Sequence, residues 1–81
     1  MKVRVTVRLK KGVLDPQGKA IEKTAAKQGF EQFGGFRLGK IIEFYTDETD
    51  REAVIRQAEQ LADKFLANTV IENYEVQIED D

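Results

Sequence analysis

Eighty-one residues with 13 basic and 15 acidic side chains, a net charge of −2, and neither cysteine nor histidine make one domain over 1–81, small enough to bury only about 60% of its unfolded surface or a little more. That composition excludes disulfides, thiolate metal sites and the commonest metal ligand and general base, and its charge balance argues against nucleic acid or an acidic membrane as the main partner. No apolar run could span a bilayer and the amino terminus enters polar alternation at once, so a cytoplasmic chain without a signal peptide is expected, and a thin core without staples predicts a homo-oligomer.

From Lys2 to Lys10 the chain alternates, with Val3, Val5, Val7 and Leu9 on one side and Arg4, Thr6 and Arg8 on the other. This is a half-buried strand. A helix is predicted from Asp15, which suits the N-cap, with Pro16 at the first helical position and Gly29 in the left-handed residue past the last turn. Its buried face rests on Ile21 and Ala25, with Gly18, Ala20 and Ala26 nearby, and contributes little apolar area. Phe36 and Leu38 flank Arg37 as a second strand, and Leu38-Gly39-Lys40 reads as a tight turn into a third, IIEFYT.

In that third strand Ile42 and Phe44 can face the helices only if Ile41 and Tyr45 point to the open side. Both sides are therefore apolar, and the outer one is either capped by a loop or is an interface; Ile41 and Tyr45 are the candidates for self-association. Thr49-Asp50-Arg51-Glu52 matches a capping box for a second helix, whose stripe is Val54, Ala58, Leu61 and Phe65, widened by Ala62 and Leu66 and closed by Asn68 in the left-handed region. Tyr74, Val76 and Ile78 alternate with Glu75, Gln77 and Glu79 as a last strand. The order β-α-β-β-α-β predicts an α+β, two-layer ferredoxin-like sandwich, two helices on a four-stranded antiparallel sheet. First and last strands are then neighbours, and Arg4 and Arg8 face Glu75 and Glu79.

Lys11, Gly12, Gly18 and Lys19 invite comparison with a phosphate cradle, which needs unpaired amides at a helix N terminus. Asp15 would place its carboxylate on those amides, Pro16 removes one, and the spacing is neither G-x-x-x-x-G-K-[ST] nor G-x-G-x-x-G. A phosphatase on this fold would want a guanidinium in the first loop, which has lysines instead. Arg37 and Lys40 around Gly39 could hold an anion or simply form a solvated turn. The carboxylates from Asp47 to Glu52 are accounted for by helix capping, and no catalytic constellation emerges.

Three stretches carry a family likeness. Lys11 to Gly18, K-G-V-L-D-P-Q-G, together with Arg37-Leu38-Gly39-Lys40 and Leu66-Ala67-Asn68-Thr69-Val70-Ile71-Glu72-Asn73-Tyr74, resembles the signature of PurS, the small-subunit family of phosphoribosylformylglycinamidine (FGAM) synthase. The likeness covers the whole chain, with Thr69 standing where the family usually has proline. It implies a non-catalytic assembly subunit in purine biosynthesis. Such a subunit bridges the large synthetase subunit, which uses ATP and Mg, to the glutaminase subunit, and assists ammonia transfer in making FGAM from FGAR, ATP and glutamine.

On this reading the chain carries no active site, cofactor or metal of its own and forms a homodimer or a dimer of dimers. Lys11, Gly12, Leu14, Asp15, Arg37, Lys40, Asn68 and Tyr74 are the candidate partner-docking residues. A second class of function is a small-molecule-sensing regulatory module of the same fold, with the first-loop lysines, Arg37 and Lys40 as anion contacts.

Overall fold

The alternating valines of Lys2–Leu9 form β1, the central strand of a three-stranded antiparallel sheet of order β2-β1-β3. The structure, a computed structural model, describes residues 1–79. Along the chain come β1, α1 (Pro16–Lys27), β2 (Gly39–Tyr45), α2 (Arg51–Leu61), a π-helical turn over Ala62–Leu66, and β3 (Glu72–Glu79). The α+β class and the adjacency of first and last strands match expectation. The sheet has three strands among the described residues, not four.

The missing strand has a physical cause. Gly39 and Lys40 already pair with Arg8 and Val7 inside β2, so they make no turn. The amides before them are committed to carboxylates of the α1 region: Gly35 N–H donates to Glu22 Oε1 at 2.8 Å and Leu38 N–H to Asp15 Oδ2 at 2.9 Å. Amides held by helix side chains cannot serve a neighbouring strand. Segment 34–38 instead runs beside α1, so close that a Cβ on Gly18 would lie 2.1 Å from the Phe36 carbonyl oxygen.

One face of β1 carries the core. Val3, Val5 and Val7 are buried with Val54, Ala58 and Ala62 of the α2 region and Ala67 beyond it. The small side chains on α2 let its backbone approach the sheet closely, while Ile42, Phe44, Val76 and Ile78 close the margins. Asp50, one residue later than the capping box suggests, is the N-cap; its Oδ1 accepts from the amides of Glu52 and Ala53 at 3.1 and 3.3 Å. The buried stripe follows 54, 58 and 62, which leaves Phe65, expected inside, 69% exposed on the π-turn. Asn68 is not left-handed, because no residue but glycine has a positive φ among those described. It closes the turn through its side chain, Oδ1 accepting from Val70 N–H at 3.2 Å.

The first helix differs from its expectation. Gly18 is its one buried residue, Ile21 is 41% exposed, and only α2 has an extensive seat on the sheet. The radius of gyration is 16.2 Å, against about 12 Å for a compact chain of this length. The longest dimension, 49 Å, is near the sum of an eight-residue strand, about 27 Å, and a twelve-residue helix, about 18 Å. Helix α1 thus extends past the end of the sheet.

On the open face, register corrects the expected charge pairs. Arg4 lies opposite Gln77 and Arg8 opposite Asn73. Arg4 reaches Glu43 at 3.1 Å and also Glu79, and Lys2 meets Glu43 at 3.0 Å and Glu79 at 3.8 Å. Hydrogen bonds from Lys2 and then Arg4 hold the Glu43 carboxyl below its ordinary range, and Glu43 raises Lys2 in turn. Ile41 and Tyr45 are exposed on this face, as the two-sided apolar pattern of β2 requires.

Candidate functional site

At the carboxyl end of β1 three loops meet, and they contain the three stretches singled out in the sequence. The antiparallel register places Leu9 beside Glu72 and Arg8 beside Gly39. Lys10 N–H donates to the Ile71 carbonyl at 2.8 Å, tying the β1–α1 loop to the loop before β3. From the third side the Arg37 guanidinium donates to the carbonyls of Lys10 and Val13, at 3.2 and 3.3 Å, and so clasps the first loop. That loop turns tightly, Val13 N–H bonding back to the Lys10 carbonyl with Gly12 at φ +89°, where a side chain would be strained.

Asp15 is the joint. It is 6% exposed, with Oδ1 accepting from Gly18 N–H at 2.8 Å and Oδ2 from Leu38 N–H at 2.9 Å, while Arg37 Nε stands 3.8 Å away. The two amides, led by that of Gly18, hold its carboxyl below the ordinary value; burial opposes them and Arg37 helps. Both oxygens are therefore occupied, and the helix N terminus a phosphate would need already has its anion. On the far side of the loop, Asn68 N–H donates to Glu72 Oε1 at 2.7 Å, and the Asn68 carbonyl accepts from the amides of Ile71 and Glu72.

The eight expected docking residues divide. Lys11, Gly12 and Leu14 stand on the exposed loop, Leu14 at 70% exposure. Lys40 rises from β2 beside Val7 and lines a cavity of about 260 Å³ with Gln17, Leu38 and Glu72. Asp15, Arg37 and Asn68 spend their polar groups holding the loops together. Tyr74 stands apart: it is opposite Val7 on β3, half-buried against the core, and burial, with Asp63 and Glu59 adding, lifts its phenol above the ordinary value.

The sequence reading did not single out the apolar residues beside Asn68. Val70 is 81% exposed, Ile71 is also exposed, and Phe65 stands on the π-turn before them. Val70 and Ile71 follow a helix end and precede an alternating strand, which is the only signal that marks them as loop. Leu14 and Val70 are thus exposed on loops at the end of the sheet that also carries Lys10, Lys11 and Lys40. Every buried side-chain nitrogen or oxygen of the described residues has a partner, and no three of their carboxylates converge as a metal site would need. No helix among them is long and apolar enough to cross a membrane.

Comparison with known proteins agrees over nearly the whole chain. A family model described as PurS, phosphoribosylformylglycinamidine (FGAM) synthase, matches residues 2–80. The FGAM synthase subunit PurS of Bacillus subtilis is 37% identical over 79 residues, covering 98% of this chain and 93% of that protein. Among solved structures, Methanocaldococcus jannaschii PurS superposes with a TM-score of 0.87 at 35% identity, covering 99% and 96% of the two chains. A Thermotoga maritima structure described as PurLQS contains a chain that superposes with a TM-score of 0.84 at 28% identity, covering 94% and 93%.

Proposed function

The chain belongs to the PurS family of FGAM synthase subunits, and from that premise we propose that it is the assembly subunit of the enzyme in purine biosynthesis, working through the loop end of its sheet. Its partners on this reading are a synthetase subunit and a glutaminase subunit, counterparts of PurL and PurQ in the Thermotoga maritima assembly. The chemistry, with its ATP and Mg, belongs to those chains. The small subunit holds them in register so that ammonia passes from one to the other.

One observation carries this reading. The three family stretches, far apart in the chain, close into a single surface in which Asp15, Arg37 and Asn68 bond within the chain while Leu14 and Val70 are left bare. Exposed apolar side chains grouped among lysines suit a partner patch with an apolar centre and an acidic rim. The opposite end of the sheet, with Asp47, Glu48, Asp50 and Glu52, carries the other sign, so one orientation of docking is favoured.

The test is reconstitution. Synthetase and glutaminase are assayed for glutamine-dependent amidation with and without this chain, and with Leu14→Asp. The wild-type chain should restore the activity. Leu14→Asp should lower it at least tenfold at limiting chain concentration, with the circular dichroism unchanged and ammonia-dependent amidation much less affected. Full glutamine-dependent activity without the chain would refute the proposal. The chain is also proposed to self-associate, as its thin core and the exposed Ile41 and Tyr45 suggest.

A further inference from the structure

The sheet ends on β3, and register decides which backbone groups of that strand face outward. Lys10 N–H donates to the Ile71 carbonyl at 2.8 Å, in the same register that sets Leu9 opposite Glu72 and Arg8 opposite Asn73. In an antiparallel ladder every second pair exchanges hydrogen bonds, so 73, 75, 77 and 79 bond to β1 and the backbone of 74, 76 and 78 points away from it. The other side of β1 agrees. Thr46 N–H donates to the Met1 carbonyl at 3.0 Å, which gives the odd residues of β1 to β2 and leaves the even ones to β3. Among the described residues no strand lies beyond β3, and no loop carbonyl takes the amides of Tyr74, Val76 and Ile78.

An edge of this kind is a template for one more strand, and little in the backbone of β3 prevents it. The strand has eight residues without a proline, in unbroken register with β1, and offers about 27 Å of ladder. Tyr74, Val76 and Ile78 face the core but are only half-buried there, so apolar flanks await a neighbour on the helix side. What guards the edge is charge. β3 contains Glu72, Glu75 and Glu79 and no cation. Glu79 is met by Lys2 and Arg4, and Glu72 by the Asn68 amide; among the described residues Glu75 has only the Gln77 amide.

That charge selects the occupant. A second copy, paired about a two-fold axis through its own 74, 76 and 78, would set Glu75 opposite Asn73, Gln77, Glu79 or its own counterpart, and never opposite a lysine or arginine. A strand with cations on the open face and β-branched residues on the helix face complements both sides. We propose that β3 accepts, as a fourth strand, an extended basic segment of another protein in which lysine or arginine alternates with valine, isoleucine or threonine. This edge lies across the sheet from β2, away from Ile41 and Tyr45, and the proposal does not rest on the docking role of the loop end.

Amide hydrogen exchange followed by NMR reads the edge residue by residue. In the chain alone the amides of Tyr74, Val76 and Ile78 should exchange about tenfold or more faster than those of Glu75 and Gln77. A capped seven-residue peptide of alternating lysine and valine is then added up to millimolar concentration, beside a control of alternating glutamate and valine. The basic peptide should slow the three outward amides about fivefold or more, and the acidic one should leave them unchanged. Glu75→Lys, on the exposed side of the strand, should keep the circular dichroism and weaken the basic peptide about fivefold.

Outward amides that stay unprotected at millimolar basic peptide would overturn the proposal. So would equal protection by both peptides, or binding indifferent to Glu75→Lys. Protection of 74, 76 and 78 that grows with the concentration of the chain alone would also overturn it, because a second copy would then hold the edge. All of these are read without synthetase or glutaminase, so they stand or fall independently of the reconstitution.

Discussion

The two helices begin alike and end in different environments. Each has an aspartate at the N-cap, Asp15 and Asp50. Helix α2 is then held by apolar packing, Val54, Ala58 and Ala62 against the three valines of β1. Helix α1 is held by polar bonds, Asp15 to Gly18 and Leu38, and Glu22 to Gly35. Packing is non-directional and resists acid; a carboxylate bridging two amides is directional and requires ionisation. One helix is fastened to the body of its own chain, the other only hinged to it.

The strongest way to probe that contrast is on the packed side. Val5→Ala removes two methylene equivalents from the fully buried centre of β1 and should cost about 2–3 kcal/mol, read as a lower denaturant midpoint with an unchanged slope. A cost under about 1 kcal/mol would mean that α2 settles onto the sheet and that the seat is looser than the burial implies.

Gly18→Ala probes the hinge. In an exposed helix interior this change gains about 1 kcal/mol. Here the new Cβ would meet the Phe36 carbonyl at 2.1 Å, so the sign should invert to a loss of roughly 1–2 kcal/mol as segment 34–38 is pushed away. Gain of stability would show that the segment moves freely and that the hinge is not shared with α1.

These two sites also mark what the sequence could and could not disclose. Val5 and the 54–58 stripe are legible because period-2 and period-3.6 patterns register burial directly. The Asp15-Pro16 helix start is legible because capping chemistry is local. The vanished strand at Phe36–Leu38 is not, since the carboxylates that take its amides come from Asp15 and Glu22, at separations no local pattern spans. Nor is the exposure of Phe65, which the π-turn rotates off the stripe that Val54 and Ala58 begin.

At the site, the three stretches could be recognised by resemblance, but their meeting point depends on strand register and on the Arg37 clasp. Tyr74 is marked by its position in a motif, and only the register shows that it lies beside Val7, half-buried against the core.

The caps themselves give a matched pair of predictions. Asparagine caps a helix about as well as aspartate, so Asp50→Asn, whose single bonded oxygen serves local amides, should shift the melting midpoint by no more than about 2 °C. Asp15→Asn keeps one acceptor and turns an NH₂ toward the Leu38 or Gly18 amide, donor against donor. It should lower the midpoint by roughly 5 °C or more. Equal shifts would remove the distinction between a local cap and a bridging joint.

The smallest effect is the most specific to Asp15. Its carboxyl titrates below the ordinary 3.8, so folding favours the ionised form, and the stability this supplies is complete above that value and lost as pH falls through the lower, folded value. The wild type should therefore lead Asp15→Asn in melting midpoint by a constant margin at neutral pH, and the lead should shrink below pH 3.8. Glu43 is depressed too, by Lys2 and Arg4, but it is present in both proteins and cancels in the difference. A margin that stays constant into acid would show that the joint works through shape, as a hydrogen-bonded carboxylic acid could, and that α1 is not hinged by charge.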